Sequence, residues 1–153
     1  MENLFQKLRE KVEEIKGESE EGSEVLERVA GLLRREVEHY DWVGFYLADK
    51  EEEELILGPF DGEPTEHVRI DYGEGICGQS AETRETFTVQ DVAKENNYLS
   101  CSPKVKSEIV VPVFVEDEFV GEIDIDSHEI DPFSSEDEVF LKDLARELAP
   151  FFD

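Results

Sequence analysis

Apolar positions recur with a helical period at both ends of the chain and with a strand period in the middle. Leu4, Leu8, Val12 and Ile15 fall on one stripe and predict a helix over residues 4–16, with Gly17 placed to end it. After a polar break, Ser23 is placed to cap a second helix, and Glu24 and Glu27 sit near its positive dipole end. Val25, Leu26, Val29, Leu32, Leu33 and Val37 make the buried face of that helix over 24–38. The period then changes. Residues 42–47 and 54–60 predict a hairpin across the acidic turn 48–53, and Asp61-Gly62 breaks it. Residues 67–70 and 87–89 are short strands. Between them, 73–84 holds a glycine-rich turn and a short helix starting at Gln79. A polar loop covers 91–107, long enough in a compact domain to point to function. Residues 108–115 and 119–126 form a second hairpin, where Pro112 is a cost because it cannot donate to the ladder. Ser134-Ser135-Glu136-Asp137 reads as a capping box opening a last helix, with Phe140, Leu141, Leu144, Leu148 and Phe151 inward.

Helices at both ends with strands between predict an α+β domain. It has an antiparallel sheet, the N- and C-terminal helices on one face, and a loop-covered ligand pocket on the other. We read residues 1–153 as one domain, with 1–22 its N-terminal helix and polar break. No repeat, linker or second domain interrupts the pattern.

The chain carries 41 acidic and 15 basic residues, a net charge of −26. That charge argues against nucleic acid and anionic membrane as partners, since both require clustered Lys and Arg. With 39% hydrophobic residues the chain is too apolar to be disordered. Acids dispersed over the whole length suggest a surface adapted to a salt-rich cytoplasm. No apolar run suits a membrane span and no signal peptide is legible, so a cytoplasmic location is expected.

The two cysteines are Cys77, in the glycine-rich turn, and Cys101, in the polar loop. Their separation excludes a Cys-x-x-Cys motif, and each could simply be a small buried hydrophobe. Strand alternation puts Asp124 and Asp126 on one face and Ile123 and Ile125 on the other. The plain alternative for the two acids is a solvated strand face. The functional one is a carboxylate pocket floor, joined by Glu108, that binds an ammonium group or donates a proton. Trp42 and Tyr46 share a strand face, as core or as the apolar wall of a pocket. His39, His67 and His128 show no metal-ligand spacing, and the glycines fit no phosphate loop, so neither metal nor cofactor is expected.

Several stretches in collinear order carry a resemblance: Asp41-Trp42-Val43-Gly44-Phe45-Tyr46, Leu57-Gly58-Pro59-Phe60-Asp61-Gly62, Gly73-Glu74-Gly75-Ile76-Cys77-Gly78, Ser107-Glu108-Ile109-Val110-Val111-Pro112 and Gly121-Glu122-Ile123-Asp124-Ile125-Asp126-Ser127. From Trp42 onward the chain resembles the free methionine-(R)-sulfoxide reductases, a family built on a single GAF domain. The resemblance implies a six-stranded antiparallel sheet and thiol-dependent reduction of free L-methionine (R)-sulfoxide. It assigns Cys101 as nucleophile and Cys77 as a second family cysteine. Glu108, Asp124 and Asp126 become acidic pocket residues, and Trp42 and Tyr46 the aromatic wall. Many members carry a third cysteine where this chain has His67, so Cys77 is the thiol left to resolve unless an external reductant attacks directly.

The implied chemistry is attack by the Cys101 thiolate on the sulfoxide sulfur, with a carboxylic acid, Glu108, protonating the oxygen. A Cys101 sulfenic acid then condenses with Cys77 to a disulfide, which a thioredoxin-like partner reduces. The rival reading is a non-catalytic GAF module that binds a small ligand. Oligomeric state is not set by the sequence, and the N-terminal helix is where a homodimer contact would form.

Overall fold

The computed structural model describes residues 2–98 and 103–152. The chain runs α1 (Glu2–Glu18), α2 (Gly22–Glu36), β1 (Trp42–Asp49), β2 (Glu54–Asp61), β3 (Arg69–Asp71), α3 (Gly75–Thr83), β4 (Phe87–Val89), β5 (Ser107–Val115), β6 (Glu118–Ser127) and α4 (Ser135–Leu148), with short 3-10 turns after β4 and α4. The six strands form one antiparallel sheet in the order β3-β2-β1-β6-β5-β4.

Period-two alternation divides the two faces cleanly. Val43 and Phe45 of β1, Ile109, Val111 and Val113 of β5, and Ile123 and Ile125 of β6 point into a core shared with α1, α2 and α4. Trp42, Tyr46, Leu55, Ile70 and Val110 point the other way and pack with Ile76, Cys77 and Ala81 of α3. The apolar stripe of α1 (Phe5, Leu8, Val12 and Ile15) is consumed in the first core, against this chain's own helices. Pro112 is tolerated because the three-residue β4 ends opposite Val110 and leaves β5 without a neighbour at that level.

Helix ends follow the sequence in part. Ser134 accepts from Asp137 N and the Asp137 carboxylate accepts from Ser134 N, completing the capping box of α4. Ser23 does not cap α2. The helix begins at Gly22, whose bare Cα lets it start against the C-terminal backbone; a Cβ there would stand 2.5 Å from the Phe151 carbonyl oxygen. α1 runs one residue beyond Gly17, and Glu18 pairs with Arg28 at 2.8 Å. α3 starts at Gly75, four residues before the expected Gln79, because Asn97 supplies a cap from another part of the chain. Its side chain accepts from Gly75 N at 2.9 Å and donates to Gly73 O at 2.8 Å. Gly75 has φ +67, open to glycine without strain.

Among the described residues, no helix is long and apolar enough to cross a membrane.

Candidate functional site

The site is built on the sheet face beneath α3, from three strands in register. Across β1, β6 and β5 the rungs read Trp42–Asp126–Glu108, Gly44–Asp124–Val110 and Tyr46–Glu122–Pro112. Three carboxylates of β6 thus stand in a column. The β1 aromatics flank it on one side, and Glu108 on the other.

Trp42 lies flat against Phe60, with ring centroids 5.4 Å apart, and its indole N–H donates to Glu63 O at 2.9 Å. The Tyr46 hydroxyl donates to His67 O at 2.9 Å, tying β1 to the segment before β3. Both rings are almost wholly buried. They form an apolar wall on the carboxylate face.

Glu108, Asp124 and Asp126 are also buried, at 6%, 2% and 2% exposure. The solvated-face reading of the two aspartates therefore fails. The sequence reading passed over Glu122, which shares the column and is fully buried. Both Glu122 oxygens, Oδ1 of Asp124 and Oδ1 of Asp126 have no hydrogen-bond partner among the described residues. Removing a carboxylate from water without compensation is costly, so the neutral acid is favoured. Burial, joined by the charge of Asp124, pushes the Glu122 and Asp126 carboxyls well above the usual range. Burial raises Asp124 as well, while nearby Glu108 and Cys77 act to lower it. The pocket thus favours protonated carboxyls, which a cation entering it would drive toward their charged form.

Cys77 sits in the first turn of α3, not in a free glycine loop, and its thiol donates to Glu108 Oε2 at 3.7 Å. A helix N-terminus favours thiolate. Here burial, and then the charges of Asp124, Glu122, Glu108 and Asp126, push the thiol far above its ordinary value. Cys77 is held as a neutral thiol beside a carboxylate that can take its proton. Gly78 permits this placement, since a Cβ there would stand 2.5 Å from Asp71 O.

Cys77, Glu108, Asp124, Tyr46 and His67 line one small cavity with Ile70, Gly75 and Ile76; its volume is about 10 Å³, room for one water or one ion. Trp42 and Asp126 share the face but do not line this cavity. Cys101 lies outside the described residues.

The GAF domain family model matches residues 21–150. The free methionine-R-sulfoxide reductase of Escherichia coli is 35% identical over 123 residues, covering 80% of this chain and 73% of that protein. This chain belongs to the free methionine-R-sulfoxide reductase family of GAF domains. Solved structures agree. The type II free methionine-R-sulfoxide reductase of Thermoplasma acidophilum is 38% identical with a TM-score of 0.82, over 86% of this chain and 92% of that one. The Neisseria meningitidis free methionine-R-sulfoxide reductase, solved with its substrate, is 32% identical with a TM-score of 0.91, over 97% of this chain and 87% of that one. The expected GAF fold and six-stranded antiparallel sheet are both present.

Proposed function

We propose that this chain reduces free L-methionine (R)-sulfoxide to methionine with thiol electrons. The observation that carries the reading is the Trp42–Asp126–Glu108 rung, with the Cys77 thiol against Glu108, in a chain related along most of its length to named reductases. The buried carboxylates Asp124 and Asp126 take the α-ammonium of the substrate. A free amino acid supplies that charge and a methionine sulfoxide within a peptide does not. Trp42 and Tyr46 form the wall for the S-methyl end.

The Cys101 thiolate attacks the sulfoxide sulfur, and Glu108 protonates the oxygen. The oxygen passes to Cys101 as a sulfenic acid, and methionine leaves with its sulfur reduced by two electrons. Cys77 then gives up its proton and attacks the Cys101 sulfur. Hydroxide leaves, takes a proton and becomes water, and a Cys77–Cys101 disulfide remains. A thioredoxin-type dithiol reduces that disulfide by exchange. The neutral state of Cys77 keeps it from competing for substrate, and the carboxylate beside it is the proton acceptor its own step requires.

The test is NADPH oxidation coupled through thioredoxin reductase and thioredoxin, with free methionine (R)-sulfoxide as substrate. Wild type should turn over, Cys101→Ser should not, and Glu108→Gln should lose about 10²-fold or more in kcat. Cys77→Ser should release one equivalent of methionine per chain and then recycle slowly. Substrate binding by the wild type with no oxidation of its thiols would make the chain a binding module instead.

A further inference from the structure

Sequence spacing shows no metal motif, yet the sheet gathers metal-ligand types from separate elements around one cavity. The geometry points to a site for a single borderline divalent cation, zinc in class, held by Cys77, Glu108 and Asp124, with His67 as fourth ligand. One ligand atom from each of Cys77, Glu108 and Asp124 lies within 4.8 Å of the other two. Tetrahedral zinc with one sulfur and several oxygen or nitrogen ligands places its donors about 3.4–3.6 Å apart. Cys77 Sγ and Glu108 Oε2 are 3.7 Å apart already. Closing these three takes side-chain adjustments of about 1 Å, while His67, outside that 4.8 Å group but lining the same cavity, must turn its ring inward by a rotamer change.

Three further observations point to an ion. All four side chains line the same cavity, whose volume of about 10 Å³ suits one ion. Asp124 is 2% exposed, and its Oδ1 has no hydrogen-bond partner among the described residues. Glu122, fully buried on the same face, has neither oxygen hydrogen-bonded among those residues; it is not a ligand, but a cation beside it would favour its ionised form. A thiolate donor with imidazole and carboxylates selects zinc over magnesium or calcium, which require more oxygen ligands and, for magnesium, retained waters. On binding, Cys77 exchanges its S–H bond for a sulfur–zinc bond and the proton passes to solvent. No electron moves.

If the proposed reductase reading holds, the ion occupies Glu108 and Asp124 and blocks turnover reversibly. Binding itself does not depend on that reading, and the test reads binding alone. Cobalt(II), a spectroscopic stand-in for zinc, is titrated into Cys101→Ser protein in high salt, which suppresses counter-ions on the −26 surface. A thiolate-to-cobalt charge-transfer band should grow and saturate at one ion per chain, and zinc should bleach it. Cys77→Ala in the same background should abolish the band. Asp124→Asn and His67→Ala should each weaken affinity more than about tenfold, since even outer-shell partners of a metal are worth that much. Circular dichroism confirms that each variant is folded. No band, a band that survives Cys77→Ala, or affinity unchanged in Asp124→Asn or His67→Ala overturns the site.

Discussion

Gly44→Ala tests how tightly the aromatic wall is set. The added Cβ would stand 2.3 Å from Trp42 Cη2, 2.5 Å from Cζ3 and 2.9 Å from Phe60 Cβ. Carbon atoms rest near 3.5–4.0 Å, so the indole must retreat by roughly 1 Å or more. It has little room to do so. Its far edge lies against Gly62, where a Cβ would be 2.4 Å from Trp42 Cδ1, and its N–H is bonded to Glu63 O. The φ of Gly44 is not positive, so alanine brings no backbone strain and the whole effect is steric. Overpacking of this kind costs about 1–3 kcal/mol, which for a domain of this size lowers Tm by roughly 2–12 °C. Trp42 is the only tryptophan in the chain, so intrinsic fluorescence reports this residue alone. Emission should shift to the red and the urea midpoint should fall with the m-value unchanged. In the coupled assay KM should rise more than kcat falls if, as proposed, the wall binds the substrate and does no chemistry. An unaltered spectrum with an unaltered midpoint would refute the packing argument. A fall in kcat alone would refute the wall assignment.

Three further outcomes follow from the structure. Glu122→Met replaces a fully buried carboxylate, neither of whose oxygens is hydrogen-bonded among the described residues, with an apolar side chain of similar size and should raise stability by about 1–4 kcal/mol in urea; a loss would show that the neighbouring Cys77 thiol and Ser80 hydroxyl compensate it. His39 Nε2 lies 2.9 Å from Asp137 Oδ1, and Tyr40 OH donates to the same oxygen at 2.6 Å. The Asp137 contact raises the His39 imidazole above its ordinary value, so its stabilisation is complete below about pH 6.5 and is lost as pH rises through the folded value. Burial pushes Asp137 up, but the bonds from His39, Tyr40 and Ser134 prevail and lower it, so its share is present above about pH 4 and lost on acidification. Stability from this network should therefore plateau between those limits, and His39→Asn should flatten the alkaline side of a Tm–pH curve and reduce, without abolishing, the loss on the acid side, where Tyr40 and Ser134 still hold Asp137 down. The −26 charge predicts a Tm that climbs between about 0.05 and 2 M KCl, as the screening length shortens several-fold; a flat response would remove salt adaptation as the reason for the acids.

Much of this was legible because local rules and the fold agree. The alternation that separates Val43 and Phe45 from Trp42 and Tyr46 sorts the two faces of β1 as expected. The Ser134 capping box needed nothing beyond four residues. What was not legible depends on partners distant in sequence. The start of α3 is set by Asn97, more than twenty residues away, so no local pattern could place it at Gly75. Glu122 reads as one more acid in an acidic chain. Its burial follows from α3 lying over it, and the only signal was its parity with Asp124 and Asp126. His67 and Cys77 share a cavity because the first turn of α3 and the approach to β3 converge, which no spacing rule encodes.

The rung joining Trp42 to Asp126 also bears on how fast this protein can form. It closes a loop of roughly 84 residues, an entropic cost of about 4 kcal/mol that no local contact repays. A sheet held together by its β1–β6 seam belongs among the slower two-state folders, in the range of milliseconds to seconds. Because the lone tryptophan stands at that seam, its fluorescence in a refolding experiment would time the joining of the two halves of the pocket.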